Sequence, residues 1–273
     1  MRVTPKTPGL RRARVAAWLG AGLLLLAPAV FAHDTWILVH STGPGRTVEL
    51  HITSGMNFPE DEAGPRAARV AECGWRLGDR SGVFGRLVES DSALVVTART
   101  DRSGTAVAWA AFKPREIDLD DAEVEEYLDE IGAPEKLRRT WESAGAGRVW
   151  HETYTKYAKT FVSIGDGDED PSCIPALGSA IELVPLRDPT VLAAGDSIVV
   201  RVLKKGYSVS GQAVGAVCGD DGSTEIKYSN KSGHVAFALH RGGPWLLRAT
   251  ELRRQSDGTW TSDFTTMTFF ARD

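Results

Sequence analysis

Histidine is the residue type with the clearest chemistry in this chain, and one histidine stands at a special place. His33 directly follows Val30-Phe31-Ala32, a tripeptide with small residues at its first and last positions, as is typical where a signal peptide is cut. Cleavage after Ala32 would give His33 a free α-amino group. That amine and the ring Nδ1 atom can chelate one metal ion, and a second imidazole would complete a histidine brace, which suits Cu(II) or Ni(II).

The predicted second imidazole is His51. Apolar residues occupy the even positions 48, 50 and 52, so a strand there would turn His51 to the opposite face. If Trp36 and Leu38 of the preceding strand share the apolar face, Thr35 pairs with His51. His33 is then a diagonal neighbour of His51 at about 7–8 Å, which allows both rings to bind one ion.

Further ligands are predicted from a later strand and from sequence neighbours of His33 and His51. The predicted metal ligands are His33, His51, His151, Asp34 and Met56. A thioether ligand would favour a soft ion. His40 is a weaker candidate because its position is even and that of His33 is odd, so the two side chains are expected on opposite faces of the strand. The alternative left open is that His51 is a polar residue on a solvated face and His33 a frayed terminus.

The first 32 residues predict a cleaved signal peptide and a periplasmic or secreted protein. Five basic and no acidic residues precede an apolar stretch at 19–31. That stretch is shorter than the roughly 20 residues a membrane-spanning helix needs, so the mature chain is not expected to insert stably into a membrane. The remaining residues include 27 basic and 36 acidic ones. This acidic balance argues against a nucleic-acid partner.

Three cysteines, Cys73, Cys173 and Cys218, are an odd number for an oxidising compartment. At most one intramolecular disulfide can form, and Cys173 with Cys218 is the expected pair because both lie toward the second half of the chain. The spacing carries no metal-binding signature.

The pattern along the chain predicts a mainly β protein in two parts. Residues 33–165 predict an amino-terminal β domain that holds the metal site and a helical insertion near 118–143, where apolar residues recur at helical spacing. An acidic, glycine-containing linker is expected at 166–180. Residues 181–273 show short apolar runs separated by turn residues, typical of an immunoglobulin-like or transthyretin-like β-sandwich.

Several segments together resemble a large bacterial periplasmic family that is often labelled a domain of unknown function or a nickel-uptake component of the NikK/NikM-associated type. The start of the mature chain, HDTWIL at 33–38, is similar to that family's first residues. The other similar segments, in the same order, are FPE at 58–60, YTKYAKT at 154–160, IELVPLRDP at 181–189, SGHVAF at 232–237, GPW at 243–245 and TTMTF at 265–269.

The resemblance implies a periplasmic protein that binds nickel, in preference to copper, through His33 and passes it to a membrane importer complex. Where this chain has Met56, many family members have histidine, so one ligand is missing or replaced. The predicted function is therefore a binding protein for a divalent transition metal and not an enzyme. Two alternatives remain: a non-catalytic adhesion or carbohydrate-contacting β module, and a copper histidine-brace oxidase.

Overall fold

The computed structural model describes Met1 and residues 33–43, 46–145, 147–165 and 169–273. Apart from Met1, the predicted signal peptide lies outside these residues, as does part of the predicted linker. The strands in the described part are β1 (Asp34–Gly43), β2 (Thr47–Gly55), β3 (Val70–Leu77), β4 (Arg80–Val83), β5 (Leu87–Glu89), β6 (Leu94–Arg99), β7 (Gly104–Phe112), β8 (Arg115–Leu119), β9 (Trp150–Ile164), β10 (Ile181–Pro185), β11 (Ser197–Lys204), β12 (Tyr207–Ser208), β13 (Ala213–Cys218), β14 (Thr224–Tyr228), β15 (His234–Ala238), β16 (Gly243–Arg254) and β17 (Trp260–Ala271). The helices are α1 (Asp121–Glu130) and α2 (Glu135–Glu142).

A nine-stranded sheet joins strands from both halves of the chain. Its order is β14-β13-β16-β17-β9-β7-β3-β4, and β8 also pairs with β9. β17 runs parallel to β9. Strands on either side of the predicted linker at 166–180 therefore hydrogen-bond within one sheet, and the described residues from His33 onward belong to one compact unit.

Two four-stranded sheets cover opposite faces of this large sheet. One has the order β1-β2-β6-β5, and the other consists of β10, β11, β12 and β15. Successive side chains of β17 contact the two four-stranded sheets alternately. Met267 and Phe269 enter the core shared with β10 and β11, whereas the hydroxyls of Thr266 and Thr268 donate to carbonyl oxygens of β1. Because successive strand residues point to opposite faces, the large sheet is the middle one of three β layers.

Both helices lie within the segment predicted to be helical. Asp120 and Glu123 form a reciprocal capping box that starts α1. The helices pack Tyr127 and Trp141 against Trp150 and its stacked neighbour Trp260 in a separate apolar cluster. The expected fold class is confirmed: the chain is mainly β, with two helices and several sheets in sandwich-like layers.

The hairpin of β1 and β2 forms as expected, but the predicted register is wrong. Leu38, not Thr35, pairs with His51, and Thr35 pairs with Ser54. The reason is that β1 is buried on both faces. Ile37 packs into the core between the sheets, and Trp36 packs on the other side of β1.

A β-bulge at His40 accounts for the change of register. Near the turn, Gly43 pairs with Thr47. Odd-numbered residues of β1 therefore pair there with odd-numbered residues of β2, as the predicted register requires. Between the pairs Ser41–Glu49 and Val39–Leu50, His40 is an extra residue without a strand partner. A one-residue shift changes the partner and relative face of every residue beyond it, so Leu38 and Trp36, beyond the bulge, lie on the face of His51 and Thr53.

The expected disulfide between Cys173 and Cys218 is wrong, since all three cysteines are free and buried. Cys173 lies in a short 3-10 turn before β10, and Cys218 ends β13 opposite Trp245. They enter the same core from different elements. Burial raises the pKa of the Cys173 thiol to about 12, which keeps it protonated and unreactive.

Candidate functional site

Three potential metal ligands lie together on the face of the β1–β2 hairpin that Leu38 and His51 share. One ligand atom from each of His40, Glu49 and His51 lies within 4.8 Å of the other two. The rings of His40 and His51 are stacked, with centroids 4.1 Å apart and planes 5° apart. His51 Nε2 lies 3.5 Å from Glu49 Oε1. The register beyond the bulge places His51 on the face of His40, and β-strand alternation adds Glu49.

Asp61, from the loop after β2, fixes the orientation of the His51 ring. Its Oδ2 atom lies 2.5 Å from His51 Nδ1, which leaves Nε2 free to point toward Glu49. The second carboxylate oxygen, Oδ1, is buried and has no hydrogen-bond partner in the described part of the chain. A carboxylate on the non-ligating nitrogen is the usual outer partner of a metal-binding histidine, because it fixes the tautomer and raises the basicity of the other nitrogen.

This donor set fits a divalent transition metal. Two imidazoles and one carboxylate are the protein ligands of many open metal sites, which keep remaining positions for water or another ligand. Ligand atoms around one such ion lie roughly 3.3 Å apart, so the three side chains must close by a small distance. His40 is exposed and Glu49 is half-buried, so the ring of His40 can rotate off the stack at little cost.

His33 lies in a different place, in a cleft of about 330 Å³. Leu38, the partner of His51, lies five positions further along the chain, which corresponds to roughly 16 Å along a strand. The structure therefore does not bring His33 and His51 together. The Nδ1 atom of His33 is buried and has no hydrogen-bond partner among the described residues.

The cleft at His33 is electrostatically positive. The ammonium of Lys156 donates a hydrogen bond to the backbone oxygen of His33. Burial lowers the pKa of Lys156 to about 8, although Asp34 opposes this, and Arg115 and Arg69 add repulsion. Burial and then Lys156 also lower the pKa of His33. A neutral imidazole is available as a ligand, but the same positive potential disfavours a bare dication.

The remaining predicted ligands have other partners. Asp34 lies 2.6 Å from Arg248, which also binds Glu130. His151 is exposed on β9 and pairs with Asp118. Met56 is 62% exposed beyond β2, and its backbone amide donates a hydrogen bond to Glu62. None of these three belongs to the cluster of His40, Glu49 and His51.

A second group, Cys218, Asp221 and His240, also has ligand atoms within 4.8 Å of one another. Asp221 is already shared between His240 at 3.0 Å and Arg241 at 3.1 Å. A guanidinium on the same carboxylate opposes a cation there. The hairpin cluster is therefore the better metal candidate.

Sequence reasoning ranks His40 only as a weaker candidate and singles out neither Glu49 nor Asp61. Glu49 follows from strand alternation once His51 is chosen. Strand alternation counted from His33 disfavours His40, because that count assumes a strand without the bulge. Asp61 comes from a loop, and the acidic run at 60–62 is its only sequence signal.

The model of a family described as "Domain of unknown function (DUF4198)" matches residues 30–252. No curated protein matches the chain significantly. Among the described residues, no helix is both long and apolar enough to cross a membrane.

Solved structures give only distant likenesses. The D0-D1 domain of intimin is 16% identical, with 87% of this chain and 98% of that chain covered and a TM-score of 0.22. A 1.5-MDa bacterial ice-binding adhesin is 11% identical, with 88% and 66% covered and a TM-score of 0.25. Alpha-2-macroglobulin from Escherichia coli, domains MG0-NIE-MG1, is 11% identical, with 83% and 95% covered and a TM-score of 0.20. These scores are too low to transfer a fold or a function.

Proposed function

We propose that this chain, which belongs to the DUF4198 family of domains of unknown function, is an exported binding protein for a divalent transition metal ion. The observation that supports this best is the hairpin cluster of His40, Glu49 and His51, in which three ligand atoms already converge. The carboxylate of Asp61 behind His51 is the kind of outer partner that metal-binding histidines have.

The ion in this proposal is cargo that the protein binds and releases. His40 is exposed and His51 is half-buried, so an ion can reach the cluster from solvent and leave it again. Imidazole nitrogen suits nickel, copper and zinc, and Cu(II) is bound most tightly of these by most N/O sites. The resemblance to nickel-uptake proteins favours Ni(II) as the physiological ion, with a membrane importer as the receiving partner.

A terminal chelate at His33 is a second proposal for the same function. Its support is the Nδ1 atom of His33, which is buried and has no hydrogen-bond partner among the described residues, and which would act together with the α-amine freed by cleavage after Ala32. Lys156 and the arginines around the cleft oppose a dication at that place. The two proposals share the ion but not the ligands.

Calorimetric titration of residues 33–273 with Ni(II), Cu(II) and Zn(II) tests both proposals. We expect His51→Ala and His40→Ala each to weaken binding at least about tenfold, since each removes one of three ligands. His151→Ala is the matched control, because His151 is also paired with an aspartate on a strand but lies outside the cluster.

One additional residue before His33 separates the two sites. It removes the terminal amine chelate and leaves the hairpin cluster intact. Binding that is unchanged by this residue and lost in His51→Ala supports the hairpin cluster. The reverse result assigns the ion to His33. Binding that is insensitive to all of these changes, or absent from the unaltered protein, contradicts the proposed function.

A further inference from the structure

The lining of the cleft at His33 includes several basic side chains and also aromatic and hydroxyl-bearing ones. Four of its lining side chains are basic: Arg66, Arg69, Arg115 and Lys156. No acidic side chain lines it within the part of the chain that the structure describes. This contrasts with the acidic composition of the chain after position 32. A concentration of cations on an otherwise acidic protein attracts anions to this cleft.

The carboxylates around the cleft do not line it, although Asp34 and Glu130 still attract Lys156 and Glu62 still acts on His33. Asp34 binds Arg248 at 2.6 Å. Glu62 accepts hydrogen bonds from the backbone amides of Met56 and Asn57. Glu89 accepts one from the Ala67 amide and pairs with exposed Arg66. Of the four cations, Arg66 is thus the one with a carboxylate partner among the described residues.

The other cations have spare hydrogen-bond donors. Lys156 donates to the backbone oxygen of His33, and an ammonium carries three N–H donors. Arg69 is held in place by the carbonyl oxygens of Lys113 and Pro114, at 2.8 and 3.2 Å. The buried Nδ1 atom of His33 also has no partner among the described residues. A buried polar atom without a partner costs free energy unless a ligand or water satisfies it.

The shape and the remaining lining favour an organic ligand. Phe112 and Tyr154 contribute aromatic surface beside the cations, and the hydroxyls of Thr35 and Ser54 lie 2.6 Å apart at the same cleft. The volume of about 330 Å³ is at the lower end of the range for small-molecule sites. Arginine and lysine groups bind carboxylates through charge-assisted hydrogen bonds, and the aromatic walls can contact an apolar ligand body.

We propose that this cleft is a binding site for a small organic carboxylate, separate from the metal cluster on the hairpin. The carboxylate lies between Lys156 and Arg115 with a hydrogen bond from the His33 ring, and its organic body contacts Phe112 and Tyr154. Cleavage after Ala32 adds the α-ammonium of His33 to the same positive group. The proposal does not depend on the ion that the hairpin binds.

The test uses residues 33–273 in buffer freed of metal ions with a chelating resin, titrated by calorimetry with benzoate, citrate and inorganic phosphate. We expect a carboxylate to bind and phosphate to bind at least about tenfold more weakly, because it lacks an apolar body. Lys156→Met, which keeps the apolar stem, should weaken carboxylate binding by about tenfold or more, as expected for the loss of a charged hydrogen bond.

Arg115→Gln provides an independent variant if Lys156→Met does not fold, since Arg115 is an exposed residue of a surface strand. It should weaken binding several-fold. Arg139→Gln is the matched control, because Arg139 is an exposed arginine on α2 in an ion pair with Glu135. His51→Ala should leave carboxylate binding unchanged, which separates this site from the proposed metal site.

Three outcomes would overturn the proposal. They are absence of binding by both carboxylates, equal binding of phosphate, and affinity that Arg115→Gln leaves unchanged. Equal phosphate binding would show a general anion site. Unchanged affinity in the Arg115 variant would place the carboxylate elsewhere on the protein.

Discussion

Asp61 Oδ2 lies 2.5 Å from Nδ1 of His51, so a loop carboxylate sets the direction in which a strand histidine presents its other nitrogen. Thr53 connects this loop to the strand, because its hydroxyl accepts hydrogen bonds from the amides of Glu62 and Ala63. The imidazole of His51 is therefore oriented before any ion arrives. Preorganisation of this kind lowers the entropic cost of binding.

Asp61→Asn should weaken metal binding by about 10–100-fold without removing a ligand. The amide can still contact His51, but it carries no negative charge and no longer fixes one tautomer of the ring. Ni(II) titration of residues 33–273 measures the effect. Asp118→Asn is the control, because Asp118 contacts Nδ1 of exposed His151 in the same way. Equal affinity of the Asp61 variant and the unaltered protein would show that Asp61 has no role in binding.

Trp36 anchors the hairpin on the side of the metal cluster. It is 1% exposed and packs edge-to-face on Phe58 at 5.6 Å between ring centroids. Trp36→Ala should cost about 3–5 kcal/mol in the free energy of unfolding, because it leaves a large cavity. Trp36→Phe should cost clearly less, since it also removes a buried indole N–H that has no partner among the described residues. Urea denaturation measures both, and equal losses would contradict this account.

The ion pair of Lys159 and Glu182 ties β9 to β10, with Nζ and Oε1 2.7 Å apart and both side chains nearly inaccessible. Glu182 also accepts hydrogen bonds from the amides of Leu177 and Gly178. Lys159→Met should destabilise the protein by about 3–5 kcal/mol, because it leaves a buried carboxylate without its cation. The measurement is again urea denaturation at neutral pH. Lys227→Met, in an exposed pair with Glu225, should change stability by less than about 1 kcal/mol.

Much of the fold could be predicted from the sequence, because its signals are local. Apolar runs bounded by turn residues mark most of the strands, and helical spacing marks α1. The parallel pairing of β17 with β9 could not be predicted, since no local pattern records which distant strands meet. This pairing is what joins the two halves of the chain in one sheet.

The site was harder to predict than the fold for a specific reason. Trp36 and Ile37 are both buried, so the continuous apolar run in β1 does not show which face is inward. The bulge at His40 then shifts the register by one residue. With both effects, His51 faces His40 and not His33. The loop position of Asp61 has no periodicity from which its contact could be inferred.

Glu152 makes the stability of the protein depend on pH. It is buried on β9 and accepts hydrogen bonds from Trp150 at 2.7 Å, from Tyr127 at 3.2 Å and from Ser262. Burial raises its pKa above the ordinary value of 4.5, although the three donors oppose this shift. The folded protein therefore holds this proton at pH values where the unfolded chain has released it. The resulting stabilisation is complete below pH 4.5 and is lost as the pH rises through the folded-state pKa.

Glu152→Gln should remove this pH dependence, because a glutamine cannot titrate. Its amide oxygen can still accept from Trp150, and its amide nitrogen can donate to the hydroxyls of Tyr127 or Ser262. The variant should therefore gain stability relative to the unaltered protein as the pH rises from about 4.5 toward neutrality. Urea denaturation at several pH values in this window measures the difference. Glu116→Gln on the exposed side of β8 should follow the unaltered protein. If the stability of the Glu152 variant and that of the unaltered protein changed with pH in the same way, the carboxylate would be ionised across this pH range. Its three hydrogen-bond donors would then outweigh the effect of burial on its pKa.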